Sequence, residues 1–414
     1  MITIIGGGAI GLCTAYFLHK EGQEVQVIES SRSNEASGCS HGNAGMIVPS
    51  HFTPLAAPGV ISQGLKWLFN SKSPFYIKPR LNKDLLHWMW LFARSANQKN
   101  ILRVGDQLFR LNHASRNLYE DIIKEEDLKV AYQRQGLMML YQTEHVEAEE
   151  QHLAIEASIL GIKSDILSPQ EVAKLETDFE FNIRGGVHYH SDAHLDPGSF
   201  MVQLKDYLLK AGVDIHYDVQ CHGFKSTGNK LTHVNTNKGL FESQKVVVAA
   251  GVWSRTLSEN LGVHIPLQGG KGYSLTIKKP PLQLKIPSIL CERKIAITPM
   301  GENLRLAGTM EIAGMDRTIN EHRLQGIKDG VNQYLKNFEM DWVENVTPWT
   351  GLRPVSPDGM PYIGKCKDWD NLFINTGHAM MGVSLAPISG EVLKDIILKK
   401  PVKFNTEILS PDRF

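Results

Sequence analysis

Three glycines and a glutamate carry the first chemistry in this chain. Gly6, Gly8 and Gly11 stand in a G-x-G-x-x-G pattern, and Glu29 follows eighteen residues after the third glycine. In such a pattern the first glycine permits a tight turn. The second lets the backbone approach a pyrophosphate, and the third lets a helix lie close against a strand. The N-terminus of the helix that follows then presents unpaired N–H groups and a positive dipole end to the phosphates. Glu29 is then placed to accept hydrogen bonds from a ribose diol. The chemistry these residues suit is dinucleotide binding.

That chemistry needs a strand, a helix and a second strand in order, and the flanking residues supply them. Residues 1–5 form a short apolar run rich in β-branched side chains. Leu12, Ala15, Tyr16 and Leu18 recur at helical spacing, Gly22 closes the stretch, and residues 24–28 read as a second strand ending at Glu29. The fingerprint therefore sits in a full βαβ context, which a glycine-rich turn elsewhere would lack.

Composition narrows the class. The chain has 414 residues, enough for a large core and two or three domains. Lys plus Arg equals Asp plus Glu at 44 each, so no overall field draws nucleic acid, and none is expected as a partner. Cys13, Cys39, Cys221, Cys291 and Cys366 form no C-x-x-C pair and no metal-ligand spacing. No metal is expected, and lone cysteines suit a reducing compartment better than a disulfide framework. A strand starting at Met1 leaves no signal peptide to expect, and no run approaches the length of a membrane span. These features suit a cytoplasmic enzyme.

The glycine fingerprint alone does not separate NAD from FAD. Residues 30–45 read SSRSNEASGCSHGNAG, small and polar, with no third strand at the usual Rossmann distance after Glu29. Such a segment either wraps a cofactor or forms a surface loop. Here the sequence resembles the D-amino-acid oxidase/dehydrogenase superfamily of FAD enzymes, which also holds glycine oxidase and sarcosine oxidase. Within it the likeness is nearest to bacterial D-amino-acid dehydrogenases and D-hydroxyproline dehydrogenases. Ser40-His41-Gly42-Asn43-Ala44-Gly45 is similar to their flavin-side loop, and Pro54-Leu55-Ala56-Ala57-Pro58-Gly59 to the segment after it. Lys271-Gly272-Tyr273-Ser274 is similar to a substrate-domain strand. Trp349-Thr350-Gly351-Leu352-Arg353-Pro354 and Asp358-Gly359-Met360-Pro361-Tyr362-Ile363-Gly364 are similar to the return to the flavin domain, and Asn375-Thr376-Gly377-His378 to the last flavin loop.

The resemblance implies an α/β fold with a discontinuous Rossmann-type FAD-binding domain (1–80, 148–262 and 352–414). A second, α+β substrate domain (81–147 and 263–351) is built on a mixed or antiparallel sheet. The local patterns agree with such elements: a helix over 200–209, a strand over 213–217, a hairpin at Gly228-Asn229, and a buried parallel strand from Lys245 ending in small residues. Strands are expected at 273–277, 295–299 and 304–308, with helices over 320–338 and 385–398. The resemblance also implies non-covalent FAD held by Gly6, Gly8, Ala9, Ile10, Gly11, Glu29, Ser30, Ser40, His41, Asn43, Ala44 and Gly45. Val219 would offer its backbone amide to the adenine, and Ala250, Gly251, Gly377, Met381 and Gly382 would complete the site.

Holding an amino acid by its carboxylate demands a planar two-point donor, which arginine supplies and lysine does not. The resemblance assigns that role to Arg353. It makes Tyr273 a residue that shapes the substrate site, the alternative being a strand aromatic in the core. His378 lines the pocket or caps its loop, and His51 is a further pocket residue. The implied reaction is oxidation of an amino or imino acid by hydride transfer to flavin N5, with electrons passed to a quinone or another acceptor. No strong acid–base dyad is evident, and none is required if the amine binds neutral. His51-Phe52 and Met380-Met381 depart from the alanine-type pattern, so D-proline or cis-4-hydroxy-D-proline is as good a substrate as D-alanine. The alternatives are a glycine- or sarcosine-type oxidase that makes hydrogen peroxide, or a non-catalytic flavoprotein subunit. Oligomeric state is not legible.

One surface stretch is unusual. Lys66, Lys72, Lys78, Arg80, Lys83, Arg94, Lys99, Arg103 and Arg110 meet only Asp84 and Asp106, with Trp67, Phe69, Phe75, Tyr76, Trp88, Trp90 and Phe92 interleaved. The plain reading is a helix pair with its charged face in water. The other is a weak peripheral contact with the inner face of a membrane.

Overall fold

The computed structural model describes residues 1–33, 35, 38–56, 75–78, 80, 82–344 and 346–414. Ala57-Pro58-Gly59, Lys66, Trp67, Phe69 and Lys72 of the patterns above lie outside the described residues.

Ile2–Ile5, Val25–Ile28, Asp214–His216, Lys245–Val248 and Leu372–Thr376 are parallel, and Tyr362–Lys365 adds an antiparallel edge. Asp214–His216 pairs with Val25–Ile28, so the missing third strand arrives almost two hundred residues late. Each central strand is buried on both faces because both are covered, with the polar side chains of Thr3 and Gln26 hydrogen-bonded to each other. Ile4, Val27 and Val247 face helices Ala9–Lys20, Pro197–Lys210, Gln98–Glu125 and Ala386–Ile397. Ile5, Ile28, Val246 and Val248 face the antiparallel sheet Cys221–Thr227, Lys230–Thr236 and Gly239–Glu242, whose first hairpin turns at Gly228. The helix at 197 starts where the sequence punctuates it: Asp196 accepts from the Gly198 amide, and Pro197 fills the first turn.

A second, nine-stranded mixed sheet is centred on Gln268–Lys278 and Asn303–Ile312. Helix Glu321–Tyr334, capped by Asn320, covers one of its faces through Leu324, Ile327 and Val331. The expected domain boundaries do not follow the hydrogen bonding. Ser164–Leu167 and Gly185–Tyr189, expected with the dinucleotide unit, pair with each other and reach Leu137–Tyr141 of the second sheet. Phe75–Ile77 pairs with Asn303–Ile312, and Trp349–Val355 runs across the expected break at 351 to pair with Gln268–Lys278. Strand partners are chosen by edge complementarity between distant segments, which local periodicity does not encode.

Candidate active site

Two of the fingerprint glycines, Gly6 and Gly11, meet steric demands that no other residue satisfies. Gly6 has φ +112°, and a Cβ there would sit 2.5 Å from the Ala249 carbonyl oxygen. A Cβ on Gly11 would lie 1.8 Å from the Gly6 carbonyl oxygen. Gly8 is the N-cap of helix Ala9–Lys20, which has neither a side-chain cap nor an acidic residue in its first turn. The Ala9 amide has only a long contact, 3.4 Å, to Ser40 Oγ. A helix start of this kind is an anion site. Glu29 is anchored beside it: its carboxylate accepts from the Gly7 amide at 2.6 Å and from the Ser31 amide at 2.8 Å, with Ser30 Oγ at 3.3 Å.

A cavity of about 550 Å³ runs from this point across the sheet. Of the expected cofactor residues, Gly6, Ile10, Glu29, Ser30, Ser40, His41, Asn43, Val219, Ala250, Gly251 and Gly382 line it. Gly8, Ala9, Gly11, Ala44, Gly45, Gly377 and Met381 are not among its lining residues. Gly45 and Gly377 shape the loops behind it, with φ +69° and +84°. A Cβ on Gly45 would meet the Leu195 carbonyl at 2.1 Å, and one on Gly377 the Tyr362 ring at 2.7 Å. Asn43 ties two loops together, its Nδ2 donating to the Met380 carbonyl and its Oδ1 accepting from the Gly45 amide. One expectation is corrected here. The Val219 amide donates to the Glu29 carbonyl at 3.0 Å, so strand-end pairing has already taken the donor assigned to the adenine.

Arg353 is not itself among the residues lining this cavity but stands between two that are. Its neighbours Leu352 and Pro354 line the cavity, as does Cys39, whose thiol is close enough to interact electrostatically. The guanidinium lies flat on Gly272, where a Cβ would come within 2.3 Å of it. Nη1 donates to the Thr309 carbonyl at 2.6 Å. Thr309 has φ +66° at the irregularity where Gln268–Lys278 slips register against Asn303–Ile312. A β-branched residue in that conformation costs about 1–3 kcal/mol, and such strain gathers where a backbone group must be aimed. Burial pushes the Arg353 pKa below its usual value. Among the described residues no carboxylate pairs with it.

The other expected substrate-site residues are placed differently. Tyr273 projects from the opposite face of its strand into the core under helix Glu321–Tyr334. Its hydroxyl donates to Glu311 Oε2 at 3.1 Å and accepts from the Asn320 amide. Strand parity decides this, because Arg353 covers Gly272 and the next residue must point away. Glu311 is 4% exposed and also meets Lys271 and Arg323 at 3.5 Å each. Removing the acid of a buried ion cluster is costly. Glu311→Ala is expected to lose about 3–5 kcal/mol in urea unfolding, whereas a loss under about 1 kcal/mol, typical of surface sites, would show the cluster to be dispensable.

His378 borders the cavity, but its Nε2 is 2.8 Å from Ser389 Oγ on helix Ala386–Ile397. Burial lowers its pKa to about 3, so it is a neutral loop anchor and supplies no proton at ordinary pH. His51 is not among the residues lining the cavity. Its Nδ1 is 3.1 Å from Ser50 Oγ, which donates to buried Asp192. Burial lowers the His51 pKa to about 4 and raises that of Asp192 to about 7. The residue that periodicity missed is Arg305. Its Nη1 donates to the carbonyls of His41 at 2.9 Å and Asn43 at 2.8 Å, pinning the 38–45 loop to the second sheet. A charge inside the apolar strand Asn303–Ile312 was the available signal.

A βαβ fingerprint and a long cavity at the carboxyl ends of parallel strands define a dinucleotide-binding enzyme fold. The chain belongs to the FAD dependent oxidoreductase (DAO) family, whose model matches residues 1–396. The cradle fits that cofactor: the uncapped Gly8 helix start would take the pyrophosphate, Glu29 the ribose, and the Arg305-braced loop and Gly382 the flavin end. The chain is 31% identical over 409 residues to a D-amino acid dehydrogenase of Helicobacter pylori, covering 99% of this chain and 97% of that protein. It is 29% identical to one from Neisseria meningitidis serogroup C, covering 100% and 99%. In fold it is similar to the glycine oxidase of Geobacillus kaustophilus, with a TM-score of 0.80, 20% identity and coverage of 100% and 98%. It is also similar to the L-proline dehydrogenase of P. horikoshii, with a TM-score of 0.75, 18% identity and coverage of 100% and 97%.

Proposed function

We propose that the protein oxidises an amino or imino acid at its α-carbon, with D-amino acids and cyclic D-imino acids as the substrate class. Electrons then pass to a quinone or another acceptor. The observation that carries this reading is Arg353, a guanidinium with no carboxylate partner among the described residues, between two residues that line the cofactor cavity. Its fork supplies the two parallel donors that a substrate carboxylate needs. Full-length relatives named D-amino acid dehydrogenase support the same class. Bound FAD supplies the two-electron acceptor for the α-C–H bond. The chain's own part is orientation: Arg353 fixes one end of the substrate, and Gly272 leaves room for the fork. His378 is committed to Ser389, and no acid–base dyad is required if the amine binds neutral, in which case catalysis rests on placement.

The test is anaerobic mixing of the holoenzyme with D- and L-amino acids, glycine, sarcosine and hydroxyproline isomers while following the flavin's visible band. Bleaching by a D-amino or D-imino acid is expected, and peroxide formed on admitting oxygen would turn the reading to an oxidase. Bleaching by none of them would overturn it.

We further propose a weak peripheral membrane contact. None of the described helices is long and apolar enough to cross a membrane. Helix Lys83–Ser95 exposes Leu86, Met89 and Trp90 on one side, and Leu102 of the next helix is 74% exposed, with Arg94 stacked on Trp90 at 4.7 Å. Aromatic and basic groups together suit an anionic lipid surface. Sedimentation with phosphatidylglycerol vesicles is expected to pellet the protein, and Trp90→Glu with Leu102→Glu to release it. Protein that stays in the supernatant at low salt would remove the contact.

A further inference from the structure

A second cavity, also about 550 Å³ and open to solvent, lies behind the 38–45 loop. It is a cleft between two parts of the fold. Ser274, Thr276 and Arg305 line it from the second sheet, and Asp196, Ser199 and Gln203 from helix Pro197–Lys210 and its cap. His41 and Gly42 form a third side, and His41 also lines the first cavity. Neither Leu352 nor Pro354, which flank Arg353, lines this cleft, so it is a separate place from the cofactor cavity.

The polar groups along the cleft are only partly used. Arg305 is 9% exposed. Its Nε donates to Thr276 Oγ1 and its Nη1 to the His41 and Asn43 carbonyls, which leaves Nη2 without a hydrogen bond among the described residues. Asp196 accepts the Gly198 amide on Oδ1, and its Oδ2 accepts nothing among the described residues. The Ser199 and Ser274 hydroxyls are likewise without a partner there, although Ser274 is buried. Burial lowers the Arg305 pKa, and the Asp196 charge acts against that fall without forming an ion pair with the guanidinium. A buried charged donor left unmade is costly, and a ligand that supplies the missing acceptor recovers that cost.

Two opposite charges on facing walls choose the ligand. A simple anion is opposed by Asp196 and a simple cation by Arg305, whereas a molecule carrying both charges on one carbon suits both walls. We propose that this cleft binds a free α-amino acid as its zwitterion. The carboxylate accepts from Arg305 Nη2 and the Ser274 hydroxyl, and the ammonium donates to Asp196 Oδ2 and the Ser199 hydroxyl. Val202, one turn along the helix, gives the side chain an apolar wall. The volume lies within the ~300–1,000 Å³ of small-ligand sites. This is a second amino-acid site, and it does not depend on the reaction assigned to Arg353. Its occupant joins helix Pro197–Lys210 to the second sheet through the same guanidinium that braces the flavin-side loop. The amino acid therefore acts there as an effector of the flavin end.

The test reads binding in place of turnover. Oxidised holoenzyme is dialysed to equilibrium under nitrogen against radiolabelled L-leucine or 2-hydroxy-4-methylpentanoate, which keeps the carboxylate and lacks the ammonium. Asp196→Asn removes the charge and keeps a good helix cap, so FAD content and Tm are expected to stay at the wild-type values. Its affinity for L-leucine is expected to fall at least about tenfold, the equivalent of ~1.4 kcal/mol, and wild type is expected to prefer L-leucine to the hydroxy acid by a similar factor. L-leucine is also expected to shift the visible flavin band of wild type and to leave that of Asp196→Asn unchanged. Wild-type holoenzyme photolabelled with the diazirine analogue of L-leucine is expected to carry the label within 196–203 or 274–276, a readout that needs no variant to fold. Equal binding of L-leucine by wild type and Asp196→Asn, or label confined to other segments, would overturn the proposal. Arg353 is intact in every protein compared, so a failure of its carboxylate role leaves these comparisons unchanged.

Discussion

Arg353→Lys is expected to lower kcat/KM for the amino acid by about a hundredfold or more, with FAD content and the flavin spectrum unchanged. The geometry gives the reason. Arg353 already spends Nη1 on the Thr309 carbonyl at 2.6 Å, and the rest of its fork is held flat over Gly272. Lysine brings a single ammonium on a flexible stem. It can stay on the Thr309 carbonyl or meet the substrate, and in neither case does it present two parallel donors. A charge-assisted hydrogen bond contributes about 1.5–3 kcal/mol, and each ~1.4 kcal/mol is tenfold in rate. Loss of one bond together with a misdirected α-carbon accounts for the size expected. Steady-state kinetics and anaerobic flavin reduction measure it, and near-normal turnover would take the carboxylate role from Arg353.

The contrast between Arg353 and Tyr273 shows how far the sequence could be read. Both stand in motifs that resemble one family, and both were expected at the substrate. Arg353 lies on Gly272, and Tyr273, one position along the same strand, therefore points into the core with Glu311 and Asn320. Side chains alternate with period two, so which of two neighbours faces a site depends on register, and here the register slips between Lys271 and Tyr273. Local signals were otherwise strong. Helix 385–398 is found as Ala386–Ile397, strand 295–299 as Ile295–Met300, and the cap ahead of Pro197 is in place. Each rests on contacts within a few residues. Arg305 reaches back more than 260 positions to the carbonyls of His41 and Asn43, and Val219 gives its amide to Glu29 across 190. Such contacts follow from tertiary packing, and no window along the chain contains them.

The second large effect is at the fingerprint, where two glycines that look alike are expected to fail differently. A methyl group on Gly11 would fall 1.8 Å from the Gly6 carbonyl oxygen, a backbone atom. Gly6 cannot retreat, since its own α-carbon faces the Ala249 carbonyl, 2.5 Å from where a Cβ would stand. Helix Ala9–Lys20 would have to lift from strand Ile2–Ile5, and the opposite side is blocked where Gly390 crosses Cys13, with a Cβ there only 2.7 Å from backbone atoms. Overpacking of this kind costs about 1–3 kcal/mol or more, and the lifted helix start no longer meets the pyrophosphate. Gly11→Ala is therefore expected to purify without flavin colour and with a lowered Tm. Gly8 has room, its nearest side-chain atom being Ser40 Oγ at 3.7 Å from a built Cβ. Gly8→Ala is expected to keep the apoprotein Tm and lose FAD affinity, because the methyl stands where the phosphates must approach. Absorbance ratios of purified protein and thermal melts with and without added FAD separate the two. A yellow Gly11→Ala protein with wild-type Tm would show that helix and strand do not need that contact.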